Sequence, residues 1–473
     1  MGSKWPVVRL GNHCLKIGSG ATPKGGSSVY NDSGFIWLIR SQNIYNDGFN
    51  PSGLVFISED AADKLKNVIV QENDILLNIT GDSVARVCLA KKEYLPARVN
   101  QHVAIIRPDP KHFDARYLRY VLASPTVQQI LLNLASAGAT RNALTKSMIE
   151  EFEVSKPPLS IQVAVADHLE SFDEKIHLNR QINQTLEQMA QTLFKSWFVD
   201  FDPVIDNALD AGNEIPEPLQ ARAELRQKVR ASQDFQSLPA DVRALFPAEF
   251  EESELGSVPK GWQIKTLGEM TSLIIDHRGK TPQKMGGEWA ESGYPAISAK
   301  NIKDRTLVRS DMIRYVDEAL YRKWMKEPLS PDDILMTSEA PLGEMFYLAE
   351  KHDYLLSQRL YGLRADISKT SGSYLYFWLQ TDMAKSDMDG RATGTTVVGI
   401  RQSELRKINV LCPENSAVHA FSKSVSRYLI KIEHNCSQSE TLERIRDELL
   451  PKLISGELRL DDLPDEVVTA ANE

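Results

Sequence analysis

The chain has 473 residues, of which 42% are hydrophobic and 25% charged, and its formal net charge is −9. This composition is ordinary for a soluble globular protein of two to four domains. Nothing approaches about 18 uninterrupted apolar residues, no secretion signal precedes residue 10, and the four cysteines form no C-x-x-C pair, so we expect a cytoplasmic protein with no membrane partner.

Residues 1–157 form the first predicted globular domain. Short apolar runs over 35–39, 74–79 and 103–106 are separated by Gly, Asn, Asp and Pro, a pattern that predicts strands and turns. A helical pattern over 115–122 is interspersed with them. We therefore expect a mixed α/β domain here.

Residues 158–200 follow as a long predicted helix. Its apolar residues recur at a spacing of three and four, which places them on one stripe, and the predicted packing residues are Ile182, Leu186, Met189 and Leu193. The run Asp173-Glu174-Lys175 has the local sequence of a nuclease motif, but we interpret it as a solvated face of this helix.

Residues 201–257 form an acidic, proline-rich connector with a predicted helix over 219–230, and after it the chain repeats. Trp262 and Leu267-Gly268 match Trp5 and Leu10-Gly11 at a shift of 257, and residues 441–443 match 185–187 at a shift of 256. The repeat predicts a second domain over 258–415, a second long helix over 416–457 and a tail over 458–473. The packing residues of the second helix are Leu442, Ile445, Leu449 and Leu453.

Neither apolar stripe can remain exposed. We expect the two helices to pack on each other as an antiparallel coiled coil; the alternative is that each packs on its own domain. The predicted fold is thus α/β (α+β), with two mixed α/β domains separated by a pair of long antiparallel helices, in a pseudo-two-fold tandem repeat.

Several strings resemble those of specificity subunits of type I restriction–modification systems. Residues 246–262 resemble the stretch that precedes a target-recognition domain in that family. Residues 19–23, 100–102, 157–162, 357–359 and 450–458 also resemble family strings, in the same order along the chain. The second copy has Ser357-Gln358 where the first has Asn100-Gln101, so these positions need not act alike.

The resemblance implies a non-catalytic subunit that binds double-stranded DNA and has no cofactor of its own. Each domain would read one half of a bipartite, asymmetric site, and the helices would set the gap between the halves. Two modification subunits carrying S-adenosylmethionine would methylate adenine N6, and two motor-nuclease restriction subunits, where present, would cut unmodified DNA.

Catalytic motifs are missing from the sequence. The string Lys156-Pro157-Pro158-Leu159 lacks the polar and aromatic flanks of an amino-methyltransferase loop, and neither a phosphate loop nor a metal-ligand cluster occurs. Two alternatives remain: a self-contained DNA-modifying enzyme with an unrecognised site, and a scaffold protein that does not read DNA.

Polar side chains in loops are the candidate DNA-binding residues, because Arg fits guanine and Asn or Gln fits adenine bidentately. Acidic residues concentrate in 158–257 and 416–473, so partner subunits are expected to supply part of the phosphate contacts. The candidates in the first copy are Lys24, Ser41, Gln42, Asn78, Thr80, Arg86, Gln101, Thr140 and Arg141. Those in the second are Arg278, Lys280, Lys300, Ser338, Glu339, Gln358, Arg359, Thr396 and Arg401.

Overall fold

The computed structural model describes residues 5–23, 25–136, 142–394 and 397–462. The chain folds into two compact units: unit 1 contains Met1–Asn179 and Ser437–Glu473, and unit 2 contains Arg180–Cys436. Both boundaries fall inside a long helix, so each unit takes part of both helices. Among the described residues, no helix has the length and apolar character needed to cross a membrane.

The globular part of unit 1 alternates short strands with short helices. In chain order these are β1 (Val7–Arg9), β2 (Cys14–Ser19), β3 (Ile36–Ile39), β4 (Ile44–Tyr45), β5 (Gly48–Phe49), β6 (Val55–Ile57), α1 (Glu59–Lys64), β7 (Ile75–Asn78), β8 (Val87–Leu89), β9 (Ala97–Val99), β10 (Val103–Pro108), α2 (Ala115–Ala123), α3 (Pro125–Ser136), α4 (Lys146–Glu151) and β11 (Glu153–Ser155). The long helix α5 (Leu159–Phe198) follows.

Unit 2 begins in α5 and continues through the segment predicted as a connector. Its further elements are α6 (Asp202–Ala211), α7 (Glu217–Arg230), α8 (Ala240–Arg243), β12 (Phe250–Ser253), β13 (Gly256–Pro259), β14 (Gln263–Thr266), α9 (Leu267–Met270), β15 (Thr271–Asp276), α10 (Pro282–Met285), β16 (Tyr294–Ile297), β17 (Ile302–Lys303), β18 (Thr306–Leu307), β19 (Arg314–Val316), α11 (Glu318–Trp324), β20 (Ile334–Ser338), β21 (Leu342–Tyr347), β22 (Leu355–Leu356), β23 (Leu360–Ala365), α12 (Gly372–Trp378), α13 (Asp382–Arg391), α14 (Gln402–Leu405), β24 (Asn409–Cys412) and α15 (Asn415–Ser455).

The two units share one sheet topology. Each has a four-stranded antiparallel sheet, in the order β2-β10-β7-β8 in unit 1 and β15-β23-β20-β21 in unit 2. Each also has a three-stranded sheet with one parallel pair, β6-β3-β9 and β19-β16-β22. The prediction of duplicated mixed α/β domains is confirmed, and the dominance of antiparallel pairs makes them α+β.

The inner strands β7 and β20 of the four-stranded sheets are buried on both faces. Successive side chains of a strand point to opposite faces, so each strand contributes to two cores. In β7, Ile75 and Leu77 belong to the core shared with the long helices, whereas Leu76 faces the three-stranded sheet. In β20, Ile334 and Leu335 divide in the same way. This two-sided burial explains why these strands are continuous apolar runs in the sequence.

The long helices pack on each other within each unit. In unit 1 the first half of α5 shares a core with the last half of α15, through Phe172 and Leu442 among others. In unit 2 the last half of α5 shares a core with the first half of α15, including Phe194 and Phe421. The predicted antiparallel pair is therefore confirmed. Both cores also contain residues of the domains, so packing on the domains accompanies the helix pairing.

The eight predicted packing residues differ in their burial. Leu442 and Leu453 are buried, Ile182, Leu186, Leu193, Ile445 and Leu449 are partly buried, and Met189 is 47% exposed. The packed positions of α5 follow a seven-residue spacing through Ile176, Asn183 and Ala190, so Met189, one residue earlier, points to solvent.

Polar side chains occupy the seam near the middle of the helix pair. In unit 1, Asn179 donates to Gln438 Oε1 at 2.9 Å and to Ser439 Oγ at 3.3 Å. In unit 2, Asn435 donates to Asn183 Oδ1 at 2.8 Å. Amides at such positions favour one register of the two helices, because a shifted register leaves them without partners.

The connector segment is folded rather than extended. Helices α6 and α7 form a hairpin in which three aspartates spaced four residues apart face three arginines with the same spacing. Asp202 receives two hydrogen bonds of 2.7 Å from Arg222, and Asp206 receives two from Arg226. Part of the acidic charge of this segment is thus paired internally with arginines.

The interpretation of Asp173 as part of a solvated face is wrong. Its carboxylate accepts hydrogen bonds from Arg446 at 2.6 Å, Tyr120 at 2.7 Å and Arg119 at 3.1 Å. These partners belong to α2 and α15, which lie far from Asp173 in the sequence. The helical spacing of α5 therefore could not predict these contacts.

A histidine on the loop after β21 makes one local contact of unit 2 sensitive to pH. His352 Nε2 contacts a carboxylate oxygen of Glu433 on α15, which also accepts from the amide of Ala349 at 2.7 Å. The hydrogen bond that His352 donates to Glu433 raises the pKa of His352 above its ordinary value. A raised folded-state pKa stabilises the fold fully below the unfolded pKa of about 6.5, and this contribution disappears as pH rises through the folded pKa.

We therefore expect local opening of residues 349–353 to become easier as pH rises above about 6.5, by no more than about 1 kcal/mol because the pair is partly exposed. Amide hydrogen exchange, corrected for intrinsic pH dependence, measures this change. His352→Gln should remove the pH dependence; its persistence in that variant would assign the effect to another group.

Candidate nucleic-acid interface

The same corner of the four-stranded sheet is polar in both units. In unit 1, Thr80 just beyond β7 bridges to Ala143, and the Ile79 amide donates to His102 O at 2.9 Å. In unit 2, Glu339 just beyond β20 bridges to Gly399, and the Ser338 amide donates to Arg359 O at 2.9 Å. We call these regions corner 1 and corner 2. Three chain segments meet at each, so side chains distant in sequence become neighbours.

Corner 1 contains mostly neutral groups. Thr80 Oγ1 lies 2.5 Å from His102 Nδ1, and Gln101 Nε2 lies 2.7 Å from the other ring nitrogen. Asn78 donates to Ser41 O at 2.9 Å and to Ser83 Oγ at 3.1 Å. Among the described residues, the buried amide oxygens of Asn78 and Gln101 have no hydrogen-bond partner. Asn78 is fully buried, so its amide holds Ser41 and Ser83 together and does not face a ligand.

Several first-copy candidates lie in or beside corner 1. Ser41 reaches it through its carbonyl group, and Arg86 follows the turn after Asn78 and stacks 4.7 Å from the Tyr45 ring. Gln42 is exposed and donates at 3.4 Å to Gly53 O. Three other candidates fall outside the described residues: Lys24, Thr140 and Arg141.

Corner 2 contains charged groups. Glu339 Oε1 lies 3.0 Å from Arg359 Nε in an ion pair. Asp276, at the end of β15, accepts from Arg278 Nε at 2.9 Å and from Arg278 Nη2 at 2.7 Å. The guanidinium carbon of Arg278 lies 4.6 Å from the centre of the Tyr361 ring. Four charged side chains are thus held in two ion pairs at this corner.

The remaining second-copy candidates are placed less uniformly. Ser338 is buried in corner 2, and its hydroxyl has no partner among the described residues. Lys280 donates to Trp324 O at 3.4 Å and is therefore directed towards the core under the three-stranded sheet. Gln358, Arg401 and Lys300 are exposed, and Thr396 lies outside the described residues.

Three side chains of these corners are absent from the sequence-based candidates: His102, Asp276 and Tyr361. Asp276 could have been found, because an aspartate two residues before Arg278 can accept from its amide, as it does at 3.0 Å. Tyr361 could not, since it reaches Arg278 only through the pairing of β15 with β23.

Burial and pairing set the protonation of corner 2. Burial raises the pKa of Asp276, but the hydrogen bonds and charge of Arg278 outweigh it and the net pKa lies below the ordinary value. Burial lowers the pKa of the neighbouring His277 to about 4, helped by Lys280, so this ring is neutral near pH 7. The ion pair of Asp276 with Arg278 therefore persists at physiological pH.

Known proteins are similar to this chain over most of its length. Residues 2–188 and 259–444 match the family model of the Type I restriction modification DNA specificity domain. The chain is 27% identical over 409 residues to the Type I restriction enzyme HindI specificity subunit of Haemophilus influenzae, covering 82% of this chain and 87% of that protein. It is 23% identical to the MjaIX specificity subunit of Methanocaldococcus jannaschii, with coverage of 97% and 94%.

The fold is also similar to a solved structure. The crystal structure of a Type-I restriction-modification system S subunit from M. genitalium aligns with a TM-score of 0.57 and 17% identity, covering 95% of this chain and 96% of that one.

Proposed function

Because the chain belongs to the family of type I restriction–modification DNA specificity domains, whose role is DNA sequence recognition, we propose that it recognises a bipartite, asymmetric DNA site. Each unit reads one half of the site, and the two long helices set the spacing between the halves. The chain directs methylation of adenine N6 and restriction, and it acts in the cytoplasm.

One observation carries this proposal: equivalent positions of the two units hold different chemistry. The pairing of β7 with β10 and of β20 with β23 makes Thr80 equivalent to Glu339 and His102 equivalent to Arg359. A threonine–histidine contact in corner 1 thus stands where a glutamate–arginine ion pair stands in corner 2. A shared scaffold with different polar groups suits two different half-sites.

The chemistry itself belongs to partner subunits in this proposal. Two modification subunits bind S-adenosylmethionine and transfer the methyl groups, and two motor-nuclease subunits associate where restriction occurs. The chain supplies neither a cofactor nor a catalytic group. The absence from the sequence of a loop that could hold a flipped base for methyl transfer supports this division.

Methylation mapping tests the proposal. We expect the purified chain together with its modification partner to methylate adenines on both strands of one split sequence, whereas neither protein does so alone. Sequencing of the methylated positions in DNA exposed to the complex measures this result. Methylation by the chain alone would establish a self-contained enzyme, and a complex without sequence preference would establish a scaffold that does not read DNA. Either result contradicts the proposal.

A further inference from the structure

The two ion pairs of corner 2 are balanced in charge. The corner holds two arginines, Arg278 and Arg359, each paired with a carboxylate, Asp276 or Glu339. A surface that grips phosphates has an excess of positive charge, and carboxylates beside the arginines repel a phosphate. A base edge differs because it presents both acceptors and donors. The balanced charges of these ion pairs therefore fit a base pair better than the phosphate backbone of DNA.

Arg278 is held in one orientation before any ligand binds. The carboxylate of Asp276 takes its Nε hydrogen and one Nη2 hydrogen, and Ile400 O lies 3.4 Å from Nη1. The ring beneath it belongs to Tyr361, which is fully buried and donates its hydroxyl to the same Ile400 carbonyl at 2.9 Å. A guanidinium fixed in this way loses little conformational entropy on binding.

Two hydrogens of Arg278 remain without an acceptor among the described residues. A guanidinium has five N–H groups, and the three contacts above leave one hydrogen on each Nη atom. Two parallel N–H groups of this kind match the O6 and N7 acceptors of guanine in the major groove.

Glu339 provides an acceptor beside this arginine. Its Oε1 atom lies 3.0 Å from Arg359 Nε, and its backbone bridges to Gly399, the residue before the Ile400 carbonyl that Arg278 approaches. A carboxylate can accept a second hydrogen bond, and the exposed N4 amino group of cytosine is such a donor. A G·C pair thus offers acceptors for Arg278 and a donor for Glu339.

We propose that corner 2 reads one G·C base pair, with Arg278 donating to guanine and Glu339 accepting from the cytosine, and with Asp276 and Tyr361 as positioning residues for Arg278. This inference rests on the proposed function. It also predicts an asymmetry, because strand pairing places Ser19 and Ala104 of unit 1 where Asp276 and Tyr361 stand in unit 2. Corner 1 lacks both positioning groups.

The test uses the full chain in complex with its modification partner. The wild-type recognition site is determined first, and each of its base pairs is then replaced in turn in a competition methylation assay. Arg278→Gln should reduce discrimination at a single G·C pair in one half-site about 5- to 150-fold, the contribution of a bidentate arginine–guanine contact. Glu339→Gln and Asp276→Asn should reduce discrimination at the same pair and leave the other half-site unchanged.

Two controls separate base reading from other roles. Arg322→Gln removes an exposed arginine of α11 that pairs with Glu318, and it should leave discrimination at every position unchanged. Arg278→Lys keeps the charge but loses the planar set of guanidinium donors. It should therefore also reduce discrimination, while the salt dependence of binding stays that of the wild type. Thermal unfolding of each variant verifies that the fold is retained.

The outcomes distinguish this inference from the proposed function. Equal weakening on all sequences in Arg278→Gln, with a smaller salt slope, would assign Arg278 to a phosphate and overturn the inference. Loss of discrimination at an A·T pair would also overturn it. A wild-type complex with no sequence preference would instead overturn the proposed function.

Discussion

Replacing Asp173 by alanine is expected to destabilise unit 1 by about 3 kcal/mol, because it leaves two largely buried arginines without their shared partner. The side chains of Arg119 and Arg446 are only 8% and 18% exposed. Their contacts with Asp173 join α2, α5 and α15, so opening should become easier in all three helices. Hydrogen exchange resolved by peptide measures the free energy of opening in this unit.

The neighbouring residue supplies the control. Glu174 is exposed on the same helix, and Glu174→Ala should change stability by no more than about 0.5 kcal/mol. Equal effects of the two substitutions would mean that the network around Asp173 contributes little.

The same network fixes the direction of a pH effect. Burial raises the pKa of Asp173, but Arg119, Arg446 and the Tyr120 hydroxyl together hold it below the ordinary value. A lowered folded-state pKa gives stability that is present above the unfolded pKa of about 3.9 and is lost as pH falls through the folded pKa. Unit 1 of the wild type should therefore lose more stability on acidification below about pH 4 than Asp173→Ala does.

The three Asp–Arg pairs between α6 and α7 should contribute unequally to stability when their aspartates are removed one at a time. Asp202→Ala is expected to destabilise the hairpin by about 1.5–3 kcal/mol, because Asp202 is buried and its loss removes two hydrogen bonds of Arg222 and the acceptor of the Ser196 hydroxyl, while Arg222 keeps its ion pair with Asp200. Asp210→Ala should cost no more than about 1 kcal/mol, because the Asp210 side chain is 48% exposed and solvent replaces its contacts.

Urea denaturation of the wild type, Asp202→Ala and Asp210→Ala, monitored by hydrogen exchange in α6 and α7, measures these differences in stability. Asp202→Asn keeps the shape but removes the charge, and an intermediate loss is expected for it. A cost for Asp210→Ala as large as that for Asp202→Ala would show that the helices are held by net charge rather than by buried hydrogen bonds.

Local patterns were sufficient for much of the fold. The three-four spacing of apolar residues predicted the long helices, and the structure begins and ends them at Leu159, Phe198, Asn415 and Ser455. The apolar run over 74–79 predicted the central strand β7. These predictions succeeded because helix and strand periodicity depends on residues close in the chain.

Some side-chain roles could not be predicted from the sequence, because the partners of these side chains come from distant segments. Met189 falls on the apparent stripe of α5 but is exposed, since the packed positions follow the seven-residue spacing of a helix pair. Asp173 has partners on two other helices, and no spacing within α5 reveals them.

The sequence by itself determined the duplication, the order of domains and long helices, and the presence of polar side chains at matching positions. Tertiary structure alone decided which of these side chains meet. Thr80 faces His102, and Glu339 faces Arg359, because the strands on which each pair depends lie side by side in the sheet. Strand register is a long-range property, so the difference in chemistry between the two corners emerges only when the sheets have formed.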